Sequence, residues 1–286
     1  MTGELRAFRR KRLSPEEGKA AAVRALKVPI EERSNLAGEL FLDDPETLLP
    51  LLEALRQECE SNPANVLEET TFLYHYLEKI EPKYPTDAFL LDEREYFLGE
   101  TARIAGGVSR VLALRAEARR WLDLADGWFL QTENASGNLA KVLYQRLALR
   151  TEERDFTGVF ELLPQLIATF EKQGMSEDAI KSKFLRAAAL RETERLPEAI
   201  DLYQEIVRES KEIRNDVLVG HAYTNLAQLY GFLGQAREAV ELANEATPIL
   251  RSLGNHVALA KLQWGVGFLQ RAQGDGTGAI DRKSVV

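Results

Sequence analysis

The 286 residues are 45% hydrophobic and 29% charged with a formal charge of −8, the balance of a folded chain rather than a disordered or fibrous one. No run approaches the roughly 18–20 consecutive apolar residues that span a bilayer, and no apolar segment follows the basic N-terminus to make a secretory signal. The single cysteine, Cys59, excludes an internal disulfide and fits a reducing, cytoplasmic setting.

The charge is unevenly spread. Residues 1–27 hold 8 basic and 3 acidic side chains, residues 28–100 hold 5 and 18, and residues 101–286 hold 24 of each. A basic arm beside an acidic segment can stand solvated, lie on that segment or seek an anionic partner.

After Arg9-Arg-Lys-Arg12, Ser14 is placed to cap a helix, Pro15 suits its first position and Glu17 completes a capping box. A helix is expected over Pro15 to Lys27, ending before Pro29. A short helix should follow from Glu31 to Phe41. Asp43-Asp-Pro-Glu46 opens another, through about Glu60, and Asn62-Pro63 starts the next, through about Ile80. Glu81-Pro-Lys-Tyr-Pro85, with two prolines in four residues, breaks the pattern and marks the main internal boundary. From about Asp87 onward apolar residues recur at spacings of three and four, and no alternating run suggests a strand. The chain reads as all-α.

The later helices repeat with a period of 40. Val159, Ala199, Ala239 and Ala279 stand in similar frames: Phe156-Thr-Gly-Val-Phe160, Leu196-Pro-Glu-Ala-Ile200, Ala236-Arg-Glu-Ala-Val240 and Gly276-Thr-Gly-Ala-Ile280. Such a period indicates a solenoid of stacked units. In the unit from Gly220, Leu226 and Ala227 should face the partner helix, Gly234 should close the first helix in a left-handed conformation, and Ala239, Ala243 and Ala246 should line a close crossing. The unit from Ile180 repeats this with Ala187, Ala199, Tyr203 and Ile206. The unit from Ala140, with Leu147, Val159, Leu163 and Leu166, is looser and carries Arg154 in place of the turn glycine. An earlier unit is discernible at Gly106, Ala118, Leu122 and Ala125.

With Tyr223, Leu226-Ala227, Tyr230, Gly234, Ala239 and Ala246, this pattern resembles the tetratricopeptide repeat family, in the 40-residue form of bacterial regulators and signalling scaffolds. The resemblance implies an α-solenoid of antiparallel helix hairpins wound as a right-handed superhelix. The chain then divides into a basic arm and helix (1–28), an acidic helical region (29–85), a repeat array (86–280, in units of about 99–139, 140–179, 180–219, 220–259 and 260–280), and a tail (281–286).

The resemblance also implies that the first helix of each unit lines a concave groove. Its inward positions fall on Lys141 and Tyr144; Lys181, Phe184 and Arg191; His221, Thr224, Asn225 and Gln228; and Lys261, Trp264, Phe268 and Arg271. This basic and aromatic row suits an acidic peptide or a C-terminal carboxylate. Trp264 and Phe268 have a second explanation, packing under a following unit. The five-residue carboxylate clamp of some family members is matched by Asn225 and Lys261 only, since Phe184, Ala188 and Gly265 hold the other places.

The last six residues, Asp281-Arg-Lys-Ser-Val-Val286, can be encoded by the opening of a widely used short-read sequencing adapter. They read as a non-native tail on a fragment that stops mid-unit near Ile280, with self-association through the exposed last repeat as a consequence.

Catalytic chemistry is hard to assemble. His75, His221 and His256 have no partner at metal-ligand spacing. Cys59 has acidic neighbours that disfavour its thiolate, and Gly106-Gly107 lacks the rest of a phosphate loop. No nucleophile, base and orienting group stand together, and neither cofactor nor metal is called for. The basic run from Arg6 to Arg12 lacks interleaved aromatics, so nucleic acid is not favoured. The chain therefore reads as a non-enzymatic scaffold that binds protein or peptide. The alternative is the sensing portion of a bacterial regulator whose output domain is missing, and a third, lesser reading is an enzyme.

Overall fold

The computed structural model describes residues 13–80, 88–133, 135–255 and 258–267 apart from 261, 264 and 266, with side chains outside 88–92. Those residues contain no strand. Four helices come first: α1 (Pro15–Lys27), α2 (Ile30–Leu40), α3 (Pro45–Glu58) and α4 (Pro63–Lys79). Their limits follow local chemistry. The Ser14 hydroxyl accepts from the Glu17 N–H at 3.3 Å while the Glu17 carboxylate accepts from the Ser14 N–H at 2.8 Å, the expected capping box. Asp44 caps α3 by accepting from the Glu46 N–H at 2.9 Å. Its second oxygen accepts from the Leu13 N–H at 3.1 Å, which ties the start of α1 to the start of α3.

Further helices are α5 (Ala88–Val111), α6 (Arg115–Phe129), α7 (Ala135–Glu152), α8 (Val159–Lys172), α9 (Ser176–Glu192), α10 (Leu196–Glu212), α11 (Asp216–Phe232) and α12 (Ala236–Ser252), and the described residues among 258–267 are also helical. The chain forms two compact units, residues 1–149 and 150–286.

In the first unit α1 packs on α3 more than on α2, α2 also touches α4, α3 meets α4 and α5, and the pairs α4 on α5 and α5 on α6 follow chain order. Their core includes Leu48, Leu55, Leu73, Leu77, Phe97, Trp121, Leu122 and Phe129, all buried. It draws on helices before and after the expected Glu81–Pro85 break, which itself lies outside the described residues. Arg33 is buried in this unit. It donates from Nε to the Val28 carbonyl at 2.6 Å and grips the Glu69 carboxylate with both terminal nitrogens, pinning α2 to α4. The α5–α6 pair is the discernible earlier unit. Ala118, Leu122 and Ala125 are buried, and a Cβ on Gly106 would stand 2.9 Å from the Leu122 side chain.

In the second unit α8 packs on α9, α9 on α10, α10 on α11, and α11 on α12. This is the sequential stacking that the 40-residue period implies. Val159, Ala199 and Ala239 are fully buried at equivalent places, as are Ala187, Ile206 and Ala246. The turns follow a finer rule than the repeat. Arg154, Gly174, Glu194, Arg214, Gly234 and Gly254 all have φ between 55° and 75°, one every 20 residues. At each, the next N–H reaches back to the last turn: Asp155 to Arg150, Met175 to Phe170, Arg195 to Leu190, Asn215 to Ser210, Gln235 to Tyr230, and Asn255 to Leu250, all within 2.8–3.0 Å. This is the Schellman closure of a helix end. Arg154 departs from the family pattern in residue type yet adopts the same left-handed conformation, so the unit from Ala140 keeps its regular turn.

Candidate functional site

The helices α9 and α11 are the first helices of successive units, and each presents a row of accessible side chains. On α9 the row is Lys181, Phe184 and Arg191. Lys181 is held by Glu177, one turn earlier, at 2.5 Å. Arg191 meets the neighbouring Glu192 at 3.2 Å. Both cations are thus balanced by carboxylates of their own helix. Because these pairs are solvated, exchanging either carboxylate for that of a ligand costs little. Phe184 is half-buried and stands edge-on to Tyr203, with ring centroids 5.8 Å apart. Burial pushes the Tyr203 hydroxyl up to about 12.

On α11 the row is His221, Asn225 and Gln228. Thr224 departs from it: the side chain is buried and its hydroxyl donates to the Gly220 carbonyl of its own helix at 2.8 Å. Asn225 donates to the His221 carbonyl at 3.0 Å. Asn255 fixes the imidazole. Its Oδ1 accepts from the Ala258 N–H at 3.0 Å, so its amide nitrogen is the group that faces His221 Nε2 at 3.4 Å.

Two residues of this region escaped sequence reasoning. Phe232 lies 11, 7 and 4 residues after His221, Asn225 and Gln228, on the same helical face, and is 81% exposed. The inward positions carried over from the family end at Gln228 on this helix and do not include it. Lys183 is the other. Only 7% exposed, it meets Glu205 at 2.8 Å, Glu209 at 2.5 Å and Glu171 at 3.4 Å, joining α8, α9 and α10. Burial alone would lower the pKa of this ammonium. The hydrogen bonds from Glu205 and Glu209 more than reverse that and raise it above the ordinary lysine value.

Lys141 and Tyr144 lie on α7 in the first unit, half-buried. Lys261, Trp264, Phe268 and Arg271 lie outside the described residues. A separate open cleft of about 650 Å³ runs along the linkers of the second unit, between Met175, Asp178, Ile213, Val217 and Leu253, and shares no residue with the row. The described residues contain no acidic, histidine and cysteine cluster able to hold a metal. Burial raises the pKa of the Cys59 thiol, which makes it a poor nucleophile. No described helix is long and apolar enough to cross a membrane.

Residues 178–252, which span α9 to α12, match the tetratricopeptide repeat family. No curated protein matches the chain significantly. Among solved structures, aspartyl phosphate phosphatase F from Bacillus subtilis is similar over 96% of this chain and 74% of its own, with 13% identity and a TM-score of 0.60. A signal transduction ATPase with numerous domains from Pyrococcus horikoshii, which has a tetratricopeptide repeat sensor, is similar over 94% of this chain and 43% of its own, with 18% identity and a TM-score of 0.54. The fold is that of an all-helical repeat solenoid, consistent with a protein-interaction scaffold.

Proposed function

We propose that the chain is a non-enzymatic cytoplasmic scaffold that binds a protein segment on the face formed by α9 and α11. The observation that carries this reading is the accessible row on two successive first helices: Lys181, Phe184 and Arg191 beside His221, Asn225, Gln228 and Phe232. Amide and imidazole groups serve a peptide backbone, the aromatics serve as rigid anchors, and the two exchangeable cations suit an acidic side chain or a C-terminal carboxylate.

Peptides selected on the purified chain from a random library with free C-termini test this. Enrichment of acidic C-terminal sequences is expected. Phe232→Ala should weaken their binding by about 2 kcal/mol, the scale of an interface anchor. Its thermal stability should stay within about 0.5 kcal/mol of the parent, because the side chain packs on so little. A selection that enriches nothing, or peptides indifferent to both Phe232→Ala and the Lys181→Glu, Arg191→Glu pair, would sink the proposal.

A second reading is the peptide- or ligand-sensing portion of a bacterial regulator. The likeness to a protein with a tetratricopeptide repeat sensor supports it. The full reading frame distinguishes the two: a kinase, cyclase or DNA-binding domain after Ile280 favours the sensor, and further repeats with a polar cap favour the scaffold.

A further inference from the structure

The cleft of about 650 Å³ along the linkers of the second unit has an apolar lining. Met175, Ile213, Val217 and Leu253 contribute to it. Ile213 is 37% exposed, Val217 44% and Leu253 41%. Stacking gathers them. Ile213 and Leu253 hold the same place in successive units, 40 residues apart, each just before the left-handed residue that follows a helix. Val217 joins them from the first turn of α11. The equivalent place one unit earlier holds Gln173, exposed and polar, so the apolar stretch begins at Met175. Single exposed apolar side chains are ordinary, but three large ones lining one concavity make a contact surface.

The charges on the lining decide what can occupy it. They are Glu177, Asp178, Asp216 and Arg214. Glu177 is balanced by Lys181 at 2.5 Å. The charged groups of Asp178, Asp216 and Arg214 make no hydrogen bond or ion pair with any described residue. Two carboxylates against one guanidinium leave the cleft net negative. Asp178 and Asp216 each stand in the first turn of a helix, where the helix dipole favours an acidic side chain, and Asp178 is half-buried. Like charge juxtaposed across an interface disfavours an acidic segment, whereas basic side chains meet carboxylates here.

We propose that this cleft is a second docking site, which takes an apolar peptide segment flanked by basic side chains. Burial of the segment's apolar side chains against Met175, Ile213, Val217 and Leu253 supplies the affinity, and its cations set against Asp178 and Asp216 supply the selectivity. The size agrees, since a volume of about 650 Å³ lies within the range of roughly 300–1,000 Å³ that holds a few side chains rather than a folded domain. The preference is opposite in sign to that of the row on α9 and α11, with which the cleft shares no residue, so either site can fail without the other.

Met175 supplies a built-in reporter. The chain has two methionines, Met1 and Met175, so carbon-13 at the methionine methyl gives two NMR signals, assigned with Met175→Leu. The probe is an acetylated, amidated peptide of three leucines with two lysines on each side. Titrated into the full chain, it should move the Met175 signal saturably and leave the Met1 signal in place. The same peptide with glutamates for lysines should bind severalfold more weakly, and one with serines for leucines should cause no saturable shift. Ile213→Ser together with Val217→Ser should weaken binding about tenfold, the scale of one apolar side chain, in a chain that still melts cooperatively. Asp178→Asn together with Asp216→Asn should keep the binding and lose the preference for lysine over glutamate. Equal binding of the lysine and glutamate peptides, or a preference that survives both Asn substitutions, would overturn the basic-segment assignment. No saturable movement of Met175, or undiminished binding by a folded Ile213→Ser, Val217→Ser chain, would overturn the site itself.

Discussion

Lys181 and Lys183 stand two residues apart on α9 and meet different surroundings. The first is 43% exposed in its side chain and pairs with a carboxylate of its own helix. The second is buried among carboxylates from α8 and α10. Solvated pairs contribute little to stability, while opening a buried one leaves charges without partners. Lys183→Met should therefore lower stability by roughly 2 kcal/mol, below the full cost of opening a buried pair because its carboxylate partners are partly solvated. Lys181→Met should stay within about 0.5 kcal/mol of the parent. Urea unfolding of the two variants checks this, and equal losses would contradict it. The family resemblance implied an inward, accessible place for Lys181. It could not identify Lys183 as buried, because Glu171, Glu205 and Glu209 lie 12, 22 and 26 positions away.

At the scale of the element, each helix from α7 to α12 is followed by a left-handed residue, and three of these are not glycine: Arg154, Glu194 and Arg214. A side chain in that conformation costs about 1–2 kcal/mol, while glycine there adds only the entropy of a freer unfolded chain. Glu194→Gly and Arg214→Gly should each stabilise the protein by about 0.5–1 kcal/mol, read as a higher urea midpoint with an unchanged slope. A lower midpoint in both would show that the turns do not hold that geometry. The helices themselves were largely legible in the sequence. Ser14, Pro15 and Glu17 predicted the start of α1, and the limits of α2 to α4 fall within two residues of those expected. Caps and prolines act within a few residues of where they stand. The packing order of α1 on α3 and α2 on α4 was not legible, since it depends on contacts such as Arg33 with Glu69, 36 residues apart.

At the scale of the whole molecule, each unit contains a carboxylate whose charged form the fold favours. In the first, burial pushes the Glu100 carboxyl upward, but the charge and hydrogen bonds of Arg103 outweigh it and hold the pKa below 4.5. In the second, the hydrogen bond from Lys183 holds Glu205 below 4.5. A lowered folded-state pKa means that the unfolded chain takes up protons first on acidification. The stability these groups provide is present above pH 4.5 and is lost as the pH falls below it. The melting temperature should fall as the pH drops from about 6 to about 3, and Lys183→Met should shrink that fall. A melting temperature that holds steady or rises over this range would rule out both pairs.

The sequence by itself determined the helical class, the 40-residue stacking unit and the small residues at its crossings. Those features rest on spacings of three, four and 40 that a linear chain displays. The resemblance to the tetratricopeptide repeat family, rather than the spacing itself, suggested part of the row on α9 and α11. Only the tertiary structure decided the state of the charges. It showed Lys181 and Arg191 balanced by their own helix, Lys183 buried, Thr224 bonded to its own backbone, and Phe232 exposed. A charge is set by its burial and by the carboxylates packed around it, and neighbouring helices supply both.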